Sequence, residues 1–115
     1  MKLVEKSMVT LPSSLYRAEA EKGKSAVNYH IYNQYVLRVA DRDNLRKWLT
    51  EKEIGTEIYY PVALHQQECL KGVLDMKEMP NAEKAARETI ALPIYPELTE
   101  DMQRYVVESI SQFYS

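Results

Sequence analysis

Glycine and cysteine are scarce in this chain: three glycines and a single cysteine, Cys69, stand among 115 residues. One cysteine can neither close an internal disulfide nor build a cysteine metal cage, and a lone thiol fits a reducing compartment. No apolar run approaches the roughly 20 residues that span a bilayer. Glu5 falls where a secretory leader would carry its apolar region. The expectation is a cytoplasmic chain with no membrane partner and no metal site. Charge of one sign is not in excess either: 17 acidic residues face 15 basic ones, for a net charge of -2. The basic residues are scattered, which excludes the clustered Lys/Arg footprint of nucleic-acid binding. Phenylalanine and tryptophan occur once each, against nine tyrosines. Tyrosine suits half-buried positions where the ring packs and the hydroxyl stays wet, as at a domain or subunit boundary.

What is present fits one small domain over residues 1–115, since 45% of the residues are hydrophobic and the length leaves no room for two domains. Met8–Pro12 is a short β-type run ended by proline. Residues 13–29 are expected to be a mobile connection holding one or two helical turns, because Gly23 interrupts a helix-favouring composition that lacks a complete apolar stripe. His30–Ala40 is the strongest strand: Ile31, Tyr35, Leu37 and Val39 fall on one face, Tyr32, Val36 and Arg38 on the other. Apolar residues on both faces predict a central position.

Asp41 and Asp43 are placed to cap a helix whose stripe is Leu45, Trp48, Leu49 and Ile54, with Trp48 a core anchor. Thr56–Tyr60 reads as a strand stopped by Pro61. Val62–Pro80 is long for a loop in so small a domain, with a helical turn expected near Gln66–Leu70. Asn81 is expected to cap a helix over Ala82–Ile90, whose Ala82, Ala85, Ala86 and Thr89 permit close packing. Ala91–Leu98 then crosses as an extended segment. Thr99 caps a last helix that buries Met102, Val106, Ile110 and Phe113 or Tyr114. This order implies an α+β fold with a small, mostly antiparallel sheet and helices packed on one face. The unit Ile31–Tyr60 could instead pair parallel through a crossover.

The least generic stretch is Thr56–Gln67, TEIYYPVALHQQ. A neutral His65 or the Tyr60 hydroxyl can bond sugar hydroxyls or phosphate. Residue chemistry equally allows His65 to be a satisfied loop histidine and Tyr60 a core-edge aromatic. His30 reads as a strand-start residue.

Three pieces together, HIYNQYVLRVADRDNLRKWL (His30–Leu49), IGTEIYYPVALHQQ (Ile54–Gln67) and PNAEKAARETIALPIYPELTEDMQRYV (Pro80–Val106), carry a resemblance through their order and spacing. The chain resembles the C-terminal small domain of the DegT/DnrJ/StrS family of sugar-nucleotide aminotransferases. The resemblance implies pyridoxal phosphate (PLP) in the complete enzyme, a large PLP-binding domain and a homodimer partner. The substrate it implies is a keto sugar nucleotide used in polysaccharide or cell-surface sugar biosynthesis. In such enzymes the Schiff-base lysine and the aspartate facing the pyridine nitrogen precede the matched region. No catalytic or cofactor-binding residue is therefore expected here, and the chain alone should bind no cofactor and be catalytically silent. By resemblance, His65, Tyr60 and Gln67 line the substrate side.

Several positions depart from the family pattern. Asn33 stands where many relatives carry histidine, Ala63 replaces a proline and Gln66 an apolar residue. Glu53 replaces the glycine that ends the helix, so a left-handed cap is lost unless Gly55 compensates. Two rival readings accompany the aminotransferase one: a non-catalytic interaction module, and a sugar-nucleotide-binding domain without catalysis.

Overall fold

Strand character is concentrated in Tyr35–Val39, and the structure, a computed structural model, makes this stretch the middle strand of a three-stranded antiparallel sheet. Residues 7–14, 16–23, 30–70, 72–73 and 78–115 are described. In chain order the elements are β1 (Val9–Thr10), α1 (Arg17–Lys22), β2 (Tyr35–Val39), α2 (Arg42–Glu51), α3 (Pro80–Glu88), β3 (Thr89–Leu92) and α4 (Glu100–Phe113). Between α2 and α3 lie two short 3₁₀ turns, Leu64–Gln66 and Glu68–Leu70, near the turn expected there. Helix α1 falls inside the expected connection at 13–29; residue 15 and residues 24–29 of that stretch lie outside the described residues.

Val39 pairs with Val9, while Tyr35, Val36, Leu37 and Arg38 pair with Leu92, Ala91, Ile90 and Thr89. The α+β architecture expected from the sequence is thus realised. Side chains alternate across the sheet. Leu37, Val39 and Ile90 meet Leu45, Leu49, Ile54, Val106 and Ile110 in one core under α2 and α4, edged by Tyr35, Leu92, Phe113 and Tyr114. Trp48 anchors as expected, at the core's margin: its indole N–H donates to the Ser109 carbonyl at 2.9 Å, tying α2 to α4. The other face carries Val36 and Ala91 and looks toward the small residues of α3.

The strand expected from His30 begins only at Tyr35. Tyr32 adopts a left-handed backbone (φ 49°), and its N–H donates to His30 Nδ1 at 2.8 Å. A side chain has taken a bond that a ladder would need, and Ile31 is left 85% exposed. Thr56–Tyr60 is likewise no strand. Only Glu57 pairs, antiparallel with Ala91, through bonds of 3.1 and 2.8 Å. The next N–H, of Ile58, donates to the Glu57 side chain instead. β3 lies between this segment and β2, so the two do not pair parallel.

Helix boundaries differ from expectation for local reasons. Asp41 stands at the N-cap with φ 52°, but its carboxylate accepts from Asn44 Nδ2 rather than from a backbone N–H. Helix α3 starts at Pro80, whose fixed φ suits a first helical position, so Asn81 lies within the helix and is not its cap. It ends at Glu88, because β-branched Thr89 and Ile90 join the sheet. At its end Arg42, buried at the start of α2, donates through Nη1 to the carbonyls of Ala86 (3.0 Å) and Thr89 (2.9 Å). A cation there complements the helix dipole.

The end of α2 is closed without glycine. Glu53 itself turns left-handed (φ 58°), with Glu53 N–H on the Thr50 carbonyl at 3.0 Å and Ile54 N–H on the Leu49 carbonyl at 2.9 Å. That is the Schellman pattern. Gly55 plays no left-handed part in it. In α4, Thr99 Oγ1 accepts the Met102 N–H at 3.3 Å, the expected cap. Met102 itself stays exposed; Ser109, not part of the expected stripe, is buried instead.

Candidate functional site

Past its single bridge to β3, the Thr56–Gln67 stretch arches over the sheet's second face and borders an open-sided cavity of about 430 Å³. The floor is Val36 and Ala91. One wall is the small-residue side of α3 (Ala82, Ala85, Ala86), the other is Ile58–Tyr60 with Val62–Leu64. Ala63, Ala86 and Ala91 are buried around this space, apart from the main core. The lining is mostly apolar, with Gln34, Glu57, Tyr60 and Gln67 supplying polar groups. A few polar groups on an apolar wall is the common make-up of a ligand site. Ala63 keeps φ -63° and ψ 145°, the conformation a proline would impose, so the substitution leaves the path of the loop unchanged.

The three residues singled out by sequence take different positions. Tyr60 (76% exposed) and Gln67 both line the cavity and also share a smaller hollow with Tyr59, Pro61 and Gln66 on the outer side of the loop. His65 does not line the cavity. Its side chain is only 7% exposed, and Nε2 lies 3.0 Å from Glu83 Oε1. The same Glu83 oxygen accepts the Met79 N–H at 3.2 Å, at the start of α3. The hydrogen bond from His65, then that from Met79, holds the Glu83 carboxyl below its ordinary range. Nδ1 of His65 is buried with no hydrogen-bond partner among the described residues.

Glu83 is the functional candidate that sequence reasoning passed over. It sits 18 residues from His65, and an acid in a helix's first turn carries no signal beyond favourable dipole placement. The other histidine, His30, is exposed and stacks beside Tyr32 with ring centroids 4.4 Å apart. Cys69 is exposed, and among the described residues no group of three or more His, Cys, Asp or Glu could hold a metal ion. No helix among them is long and apolar enough to cross a membrane.

Comparison with known proteins gives this geometry a family. The profile of the DegT/DnrJ/EryC1/StrS aminotransferase family matches residues 2–111. A pleiotropic regulatory protein of Geobacillus stearothermophilus is 48% identical over 88 residues, which cover 75% of this chain and 23% of that protein. A dTDP-3-amino-3,6-dideoxy-alpha-D-galactopyranose transaminase of Aneurinibacillus thermoaerophilus is 29% identical over 73% of this chain and 23% of its own length. Among solved structures, a DegT DnrJ EryC1 StrS aminotransferase from Brucella abortus superposes with TM-score 0.73 at 26% identity, covering 96% of this chain and 27% of that one. DesV of S. venezuelae, solved with a ketimine intermediate, gives TM-score 0.65 at 30% identity over 70% of this chain and 22% of its own. The chain spans about a quarter of the length of these relatives. With nearly all of its residues inside the family profile and its fold inside the family's structures, the chain belongs to the DegT/DnrJ/EryC1/StrS aminotransferases.

Proposed function

We propose that this chain serves as the small C-terminal domain of a PLP-dependent aminotransferase that aminates a keto sugar nucleotide, acting in the cytoplasm in the synthesis of cell-surface sugars. The observation that carries this reading is the cavity: Tyr60 and Gln67, matched to the family's substrate-side loop, stand together on an apolar wall of ligand size. In the complete enzyme these two groups would contact the sugar nucleotide, and His65 would support them from behind. A large PLP-binding domain and a second subunit complete the site.

PLP needs a lysine amine for its aldehyde and a carboxylate opposite its ring nitrogen. The described lysines do not fit that role: Lys22, Lys47 and Lys84 are exposed, Lys52 lies over the Trp48 ring at 4.6 Å, and none lines the cavity. No chemical step through the cofactor follows from these residues.

The test is PLP titration with borohydride reduction and mass spectrometry of the chain, followed by mixing with a large domain of the family. The expected result is no stoichiometric adduct alone and transaminase activity on reconstitution. A stoichiometric adduct on one lysine would refute the reading. A non-catalytic interaction module is the second reading, favoured by the exposed apolar ridge of Tyr59, Tyr60, Val62 and Leu64. Binding to a large domain without gain of activity would select it.

A further inference from the structure

His65 is more than nine-tenths buried, stands on the loop that borders the cavity, and yet does not touch the cavity. Its one bond goes to Glu83, whose Oε1 also takes the Met79 N–H. An ionised carboxylate only accepts, so the proton of the His65–Glu83 bond sits on Nε2. Nδ1 has no partner among the described residues, and a proton there would be a buried donor with nowhere to go. Among the described residues, this is the side-chain hydrogen bond that joins the Leu64–Gln66 turn to the first turn of α3.

From this geometry we propose that Glu83 is a positioning residue. It fixes His65 as the Nε2–H tautomer and, through it, holds the Leu64–Gln66 turn against the start of α3, so that Tyr60 and Gln67 keep their places on the cavity. The consequence for substrate rests on the reading of that cavity as a sugar-nucleotide wall. The staple itself does not.

Two measurements test it. In the unmodified 15N-labelled chain at neutral pH, proton–nitrogen correlation spectra should show His65 with Nε2 protonated and Nδ1 unprotonated. A proton on Nδ1 overturns the assignment, and this result needs no variant to fold. Second, hydrogen exchange is followed at the amides of Gln66, Gln67 and Leu70, which bond the carbonyls of Ala63, Leu64 and Gln67 at 2.9, 3.2 and 3.0 Å. Glu83→Ala should speed their exchange about tenfold. Glu83→Gln should restore it, since an amide oxygen accepts both bonds. Unchanged exchange in Glu83→Ala overturns the staple. In the reconstituted enzyme the same Glu83→Ala change should raise KM for the sugar nucleotide about tenfold while leaving kcat within about twofold, again with rescue by Glu83→Gln. Faster exchange with KM unmoved would overturn the role of the cavity in substrate binding while leaving the staple in place.

Discussion

Replacing Glu53 by glycine should make the domain more stable. Glu53 closes α2 in a left-handed conformation (φ 58°) and donates its N–H to the Thr50 carbonyl. An L-residue with a Cβ pays about 1–2 kcal/mol for that conformation, which glycine adopts freely. Against this, glycine gives the unfolded chain more freedom, which costs about 0.5–1 kcal/mol. The Glu53 side chain is exposed and has no bond or ion pair among the described residues, so its loss removes no contact. The difference is a gain of about 0.5–1 kcal/mol, or roughly 2–4 °C in Tm. Urea unfolding followed by fluorescence of Trp48, which lies on the same helix and is the sole tryptophan, reads it directly. The midpoint should rise without a change in slope. Glu53→Ala is the control: it keeps the Cβ and should stay within about 0.3 kcal/mol of the parent. A glycine variant no more stable than the alanine variant would refute the reasoning.

The remaining predictions concern charge and proton linkage. Arg42→Met should cost roughly 3 kcal/mol in urea unfolding, since it strips a charged donor from the Ala86 and Thr89 carbonyls; a loss below about 1 kcal/mol would show that water satisfies them. The Glu83 carboxyl titrates below its ordinary 4.5 in the fold, so its contribution is complete above that value and fades as pH falls through the lowered one. Acid unfolding of Glu83→Gln should therefore show a shallower loss of stability below pH 4.5 than the parent, and parallel curves would contradict the link. Tyr114 has its phenol pushed up to about 12, by burial first and then by the charge of Asp41. Its hydroxyl donates to the Ala40 carbonyl. A raised acid stabilises below the unfolded value and loses that effect as pH rises from 10.0 through about 12. Tyr114→Phe should flatten alkaline unfolding over that range, and an unchanged slope would exclude Tyr114 as its source.

How legible this fold was depends on the range of the interaction. The stripe of α2, the middle strand around Leu37 and the Thr99 cap all depend on neighbours within a few residues, and all were readable. Arg42 was not, because its partners lie 44 and 47 residues away and nothing in the local sequence marks a surface-type residue as the seal of another helix. The start of β2 was misplaced because His30 and Tyr32 form a local bond that competes with the ladder. Glu53 looked like a missing cap and proved to be the cap, at some cost in strain. At the site, the loop could be located from sequence, and Tyr60 and Gln67 do share a cavity. The inward turn of His65 could not be foreseen, since it depends on a carboxylate from another element.

The outer edge of β3 has a bearing on how this domain can associate. Ala91 exchanges both of its outward backbone bonds with Glu57, and the Thr89 carbonyl is taken by Arg42. The Thr89 N–H remains on the Ala85 carbonyl of the preceding helix, and Pro93 has no N–H to offer. A foreign strand arriving at this edge finds no free register to copy. Anything that docks on this side must be recognised by side chains, through shape and apolar fit, and the Glu57 bridge shields this edge of the sheet, though not the β1 edge, from templated strand addition.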